Sequence, residues 1–145
     1  MHLAGVEDLW SRCCDLDRAL EGLCPSAPCI MLAHNPRTAE RLQGRRCDLM
    51  LSGHTHGGQI NWPGFGRPFI RGHRSFVGPK WAERLMRDRD RLRRPSSGRV
   101  SPVRFAAGMY QVSQTQVYVN KGVGFGFRFR FGVRPEVAVI TLQPK

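Results

Sequence analysis

The sequence contains no run approaching the ~20 consecutive apolar residues that a bilayer span requires. It has no C-x-x-C pair either. Its five cysteines stand at 13, 14, 24, 29 and 47, which leaves a zinc ribbon or a thioredoxin-type dithiol without support. Their odd number and scattered spacing suit small buried hydrophobes in a reducing compartment. Acidic residues are scarce: 11 Asp and Glu against 23 Lys and Arg, a formal net charge of +12. The opening residues Met1 to Trp10 carry Glu7 and Asp8 and lack the apolar core of a secretory signal. The expected location is therefore cytoplasmic or peripheral on a membrane. Hydrophobic residues make up 41% of the 145 positions, and glycine adds 16 more. That is the ordinary globular range, and it excludes a wholly disordered tail.

The positive charge is concentrated. Between Arg67 and Arg104 there are 12 Lys and Arg and 3 Asp and Glu, a local net of +9. Such a block reads as a solvated face or as a contact for phosphate, anionic lipid or nucleic acid.

The first 60 residues alternate between strand and helix signals. His2 to Val6 is a short strand. Asp15 caps a helix through Leu23, with Leu16, Leu20 and Leu23 at helical spacing. Pro25, Ser26 and Pro28 mark a loop. Cys29 to Ala33 is a continuous apolar run, the pattern of a strand buried on both faces. Asn35 caps the next helix, with Pro36 at its first position, where a missing N–H costs nothing. That helix is expected to reach Gln43 and stop at Gly44. Cys47 to Leu51 is a second buried strand, and the two strands joined by a helix imply a right-handed parallel crossover. Ser52 to Gly78 is loop-like. Pro79 to Arg94 reads as a helix, and Pro95 to Pro102 as a polar linker. Strands are expected again at Tyr110–Val112, Gln116–Asn120 and Glu136–Leu142, the last from strict alternation of apolar side chains.

The chemistry lies after the second buried strand, in Ser52-Gly53-His54-Thr55-His56-Gly57-Gly58-Gln59. Two histidines at i and i+2 leave a strand end between glycines, which let the backbone approach closely and take positive φ. Neutral imidazoles so placed suit a divalent metal. The preceding strand ends similarly, in Ala33-His34-Asn35-Pro36. Adjacent parallel strands deliver their C-terminal ends to one sheet edge, where open α/β sheets bind ligands. His34, His54 and His56 are therefore expected to converge.

Gly53 to Gln59 resembles the last motif of the calcineurin-like dinuclear metallophosphoesterases, in the branch that carries the extra Gly-Gly-Gln. Leu32 to Pro36 is similar to that branch's preceding histidine motif, and Gly5-Val6-Glu7-Asp8 to its upstream strand and turn. Val117 to Gly124 resembles its Tyr-Val-x-x-Gly-x-Gly strand and loop, and Arg130 to Glu136 its closing Arg-Phe-Gly-x-x-Pro-Glu. The resemblance implies an α/β fold: a partial metallophosphoesterase sandwich lacking its N-terminal strands, with residues 1–145 forming the C-terminal part of one domain. It implies hydrolysis of phosphomonoesters or phosphodiesters by a metal-activated hydroxide. The cofactors implied are two divalent ions (Mn, Fe, Zn or Mg). His34 and His54 would hold one and His56 the other, and Gly57, Gly58, Gln59 and His73 would lie near substrate.

The family's Asp-x-His, Gly-Asp and Gly-Asn-His-Asp/Glu ligands have no match in this sequence. Three imidazoles offer no negative charge to offset two dications, so at most one metal, weakly bound, is expected here. The chain alone is expected to be incomplete and inactive without the missing half. The basic stretch at about 75–104 has no counterpart in the family and reads as a helical insertion. In it, Trp81, Leu85 and Leu92 share one face among six arginines of residues 79–94, a pattern that suits an anionic membrane surface. The alternative function is a non-catalytic basic module binding anionic lipid or RNA, with nucleic acid the less favoured partner. Phe125, Phe127, Phe129 and Phe131 alternate and would share one strand face, with core packing preferred to base stacking.

Overall fold

The computed structural model describes residues 1–61, 105–124 and 130–143. The expected helix at 79–94, the linker after it and His73 lie outside the described residues, as do Phe125, Phe127 and Phe129. The fold is α/β: one mixed five-stranded sheet with little helix. Its strands are β1 (His2–Val6), β2 (Cys29–Ala33), β3 (Leu49–Ser52), β4 (Gly108–Val112) and β5 (Thr115–Val119). Their spatial order is β1-β2-β3-β5-β4. The first four in that order run parallel, and β4 closes the edge as an antiparallel hairpin on β5.

The parallel register explains the site. Val6 lies opposite Ala33, Leu32 opposite Leu51, and Ser52 opposite Val119. Four strands thus end in line, and the turns that leave them emerge at one edge of the sheet. Backbone hydrogen bonds continue that alignment past the strand ends. Gly53 N donates to His34 O at 3.1 Å and Asn120 N to Ser52 O at 2.8 Å.

The core sits on the central strands. Met31, Met50, Val117 and Val119 are fully buried, packed with Leu16, Ala39, Leu42 and Phe105. Fully burying one such side chain stabilises the fold by about 1.5–3 kcal/mol. Cys29 and Cys47 belong to this core, and burial pushes the Cys47 thiol up to about 12. Cys13 and Cys24 are exposed, which corrects the expectation that all five cysteines act as buried hydrophobes.

Several elements differ from expectation. Helix α1 spans Leu16–Leu20, one turn shorter than expected. Asp15 caps it by accepting from Arg18 N at 3.0 Å, but Gly22 takes a positive φ of 70° and turns the chain before Leu23. The segment Pro36–Arg41 is a 3-10 helix rather than an α-helix. Its cap is as expected: Asn35 Oδ1 accepts from Arg37 N at 3.0 Å, with Pro36 in the first turn. A 3-10 helix rises ~2.0 Å per residue against ~1.5 Å, so this short connection covers more of the return to β3. Strand β2 is not buried throughout, because Leu32 is exposed. Glu136–Leu142 is not a strand. It finds no pairing partner among the described residues, and Val137, Val139, Ile140 and Leu142 are exposed. Alternation supplies a two-faced pattern, but a strand also needs a neighbour. Among the described residues, no helix is long and apolar enough to cross a membrane.

Candidate metal centre

His34 comes directly after β2, and His54 lies two residues beyond β3. Their rings meet edge to face, with centroids 5.2 Å apart. Between them the backbone is tied by the Gly53 N–H to the His34 carbonyl. His54 itself takes φ 66°, the left-handed region that non-glycine residues rarely enter. Such a conformation costs about 1–3 kcal/mol and persists only where the surroundings over-determine it.

The third group is Asp8, in the turn after β1. One ligand atom each from Asp8, His34 and His54 lies within 4.8 Å of the others. The Asp8 carboxylate is held by Trp10, whose backbone N–H donates to Asp8 Oδ1 at 2.8 Å. The indole of Trp10 stands edge-on to the His54 ring, centroids 4.3 Å apart. Trp10 therefore braces two of the three groups at once. Sequence reasoning placed Gly5 to Asp8 at a strand and turn but missed Asp8 as a site residue. The available signal was its position after the first of three parallel strand ends.

His56 stands apart from this trio, in the short 3-10 turn His56–Gly58. Its ring lies against Gly124, where an added Cβ would sit 3.5 Å from His56 Cε1. Burial, helped by the charges of Arg130 and His34, holds its imidazole below the usual histidine range. A neutral ring at neutral pH is the ligating form. Thr55 fixes the loop between the two histidines. Its hydroxyl donates to the Ala106 carbonyl at 2.6 Å and accepts from Gly57 N at 3.3 Å.

Gly57, Gly58 and Gln59 are buried. Gly57 has φ 64°, and a Cβ there would lie 2.7 Å from both Lys121 Cγ and Val133 Cγ1. The turn thus passes beneath the segments that come after β5. Phe131 N donates to Gln59 O at 3.0 Å and Asn61 N to Phe131 O at 2.7 Å, so the closing segment grips the turn that carries His56. Arg130 donates through Nη2 to the Lys121 carbonyl at 2.8 Å and through Nε to the Gly124 carbonyl at 2.9 Å. Glu136 is tied by a short hydrogen bond from the Tyr118 hydroxyl and by Lys121 Nζ at 3.1 Å. The separated motifs read from the sequence are thus one packed unit around the sheet edge.

Comparison with known proteins fits that unit. The chain is 31% identical to phosphodiesterase YaeI of Escherichia coli over 141 residues, covering 97% of this chain and 41% of that protein. It is 32% identical to the uncharacterised metallophosphoesterase YkuE of Bacillus subtilis, covering 99% of this chain and 41% of that protein. It is 28% identical to the UDP-2,3-diacylglucosamine pyrophosphatase LpxG of Chlamydia muridarum, covering 97% and 36%. The chain aligns with part of proteins named as metallophosphoesterases and related phosphoester hydrolases. It spans about two fifths of the length of these curated relatives. No family model matches the chain, and no solved structure does.

Metallophosphoesterase relatives imply divalent metals, and the donor chemistry at this sheet edge fits one such ion. Two imidazoles and a carboxylate are a set that divalent transition metals accept. Asp8, His34 and His54 bring those three donors together.

Proposed function

We propose that this chain carries part of the catalytic site of a phosphoester hydrolase, with His34, His54 and His56 as metal ligands. The observation that carries this reading is the convergence of His34 and His54, ring against ring, at the ends of two adjacent parallel strands. Residues 1–145 form part of one metallophosphoesterase domain, with the basic stretch at about 75–104 set into it. Two of the relatives are named as a phosphodiesterase and as a pyrophosphatase of a diacylated sugar nucleotide. Those names favour a phosphodiester or pyrophosphate bond, lipid-linked or not, as substrate.

Divalent ions, when bound, supply the charge that activates water and screens the phosphoryl oxygens. The chain's own residues do the positioning. Gly53 ties His54 to His34 through the backbone, and Thr55 anchors the loop to Ala106. Gly57, Gly58 and Gln59 are the buried residues of the turn that carries His56. His56 stays neutral and so keeps a lone pair for a metal. His73, which lies outside the described residues, is a candidate for the substrate side of the site on its position in the sequence alone. The implied second metal would need acidic ligands beyond the three histidines, so full activity belongs to a longer assembly than this chain.

The test is hydrolysis of bis-p-nitrophenyl phosphate with added manganese, using this sequence within a chain of the relatives' length. Metal-dependent turnover that is lost in His54→Ala supports the reading. Turnover that survives both His34→Ala and His54→Ala refutes it.

A further inference from the structure

We propose that Asp8 is a metal ligand in its own right, so that this chain by itself holds one divalent transition-metal ion between Asp8, His34 and His54. The inference rests on the hydrolytic reading for the role of the two histidines. It goes beyond it in naming a third ligand, a stoichiometry and a metal class.

Three neutral imidazoles would leave a dication uncompensated, and the sequence suggests only weak binding for that reason. The sheet register changes this. β1 runs parallel to β2 with Val6 opposite Ala33, so the turn after Val6 emerges beside His34. Asp8 is the acid that this turn delivers. Among the described residues, Asp8, His34 and His54 are the group of three ligating side chains close enough to share an ion.

Distance supports the assignment. Three donors on one tetrahedral ion, each about 2.1 Å from it, lie about 3.4 Å apart. The three atoms already lie within 4.8 Å of one another, so closure needs side-chain adjustments of about an ångström per pair. One oxygen of Asp8 is engaged by the Trp10 N–H. That bond orients the carboxylate and leaves its second oxygen for a cation. The edge-on indole of Trp10 braces the His54 ring in the same way. Ligands fixed by outer partners of this kind are a mark of metal sites.

The donor set also selects the metal. Magnesium and calcium favour all-oxygen shells, whereas imidazole suits zinc, iron, cobalt, nickel and copper. Two imidazoles and one carboxylate also leave coordination positions open for water or a phosphoryl oxygen.

The experiment titrates cobalt(II) into the 145-residue chain and follows visible absorption and tryptophan fluorescence. One equivalent should bind. Tryptophan fluorescence should be quenched on binding, and the part of the quench contributed by Trp10, whose indole stands against the His54 ring, should be missing in Trp10→Phe. Asp8→Asn should weaken binding by at least about tenfold, the loss that removing even an outer partner causes. Its metal-free unfolding midpoint should stay put, since the asparagine oxygen can still accept from Trp10. Glu7→Gln, at the adjacent exposed acid, should change affinity by less than about twofold, as surface charges contribute little.

Should Asp8→Asn fold poorly, Asp8→Glu tests the same point, and it should bind more tightly than Asp8→Ala. Cobalt affinity unchanged in Asp8→Asn while His34→Ala abolishes binding overturns the assignment of Asp8 and leaves the hydrolytic reading standing. Uptake of two equivalents, or of none, overturns the one-metal site. Failure of the hydrolytic reading shows separately, as turnover that ignores His34 and His54.

Discussion

Replacing Gly57 with alanine adds one methyl group at the point where the histidine turn passes under the rest of the site. Two costs arise. Gly57 sits at φ 64°, and an L-residue in the left-handed region is disfavoured by roughly 1–2 kcal/mol. The new Cβ would also stand 2.7 Å from Lys121 Cγ and from Val133 Cγ1. Lys121 has a flexible stem, but Val133 is buried and has little room to give. Overpacking of this kind costs about 1–3 kcal/mol. The sum is about 2–5 kcal/mol, which at a few degrees per kcal/mol lowers the melting temperature substantially. Gly44→Ala supplies the comparison. Gly44 has φ 84°, but its Cβ would meet nothing within 4 Å, so it carries the backbone cost alone. Urea denaturation of both variants, read by circular dichroism, isolates the steric part as their difference. If Gly57→Ala is no more destabilising than Gly44→Ala, Lys121 and Val133 do not press on the turn, and the packing around the site is wrong.

The same structure makes three further outcomes testable. Met50→Ala removes a fully buried side chain from the central strand β3 and should cost about 2–5 kcal/mol in chemical denaturation; a loss below about 1 kcal/mol would mean that the core lies elsewhere. Asn35→Ala deletes the cap on Arg37 N and should cost about 1 kcal/mol in the same measurement, whereas Asn35→Ser should keep a capping oxygen without burying a charge and lose less. Glu136 is held below the usual carboxylate range by the Tyr118 hydroxyl first and by Lys121 after it. Its contribution to stability is therefore present above its unfolded pKa of about 4.3 and disappears as pH falls through the lower folded value. Melting temperatures of Glu136→Gln should accordingly fall less steeply than those of the parent below about pH 4.3, and parallel acid limbs would contradict the pairing.

Much of the sheet was legible because its signals are local. The apolar run Cys29–Ala33 is β2 to the residue, and His2–Val6 is β1. Asn35 and Pro36 open the connecting helix as capping chemistry requires, but it ends at Arg41 with Leu42 as its cap, short of the expected Gln43 and Gly44. The clearest misreading depends on neighbours. The alternation of Val137, Ala138, Val139, Ile140 and Thr141 is as regular as that of a paired strand. Yet these residues stand exposed and unpaired among the described residues. A period of two describes one chain, while a strand is a property of two.

The site shows the same division more sharply. Histidines announce themselves, because H-x-H between glycines at a strand end has few structural uses. Asp8 does not, because an acid in a turn after a short strand is the commonest of surface residues. Only the register of β1 on β2 brings it to His34, and register belongs to strand pairing rather than to either segment alone. The consequence is chemical. With the histidines alone, the sheet edge is a cluster of neutral donors facing a dication. With Asp8 added, it holds a compensating charge braced by Trp10, and the same three strand ends become a site that can bind an ion before any further ligand arrives.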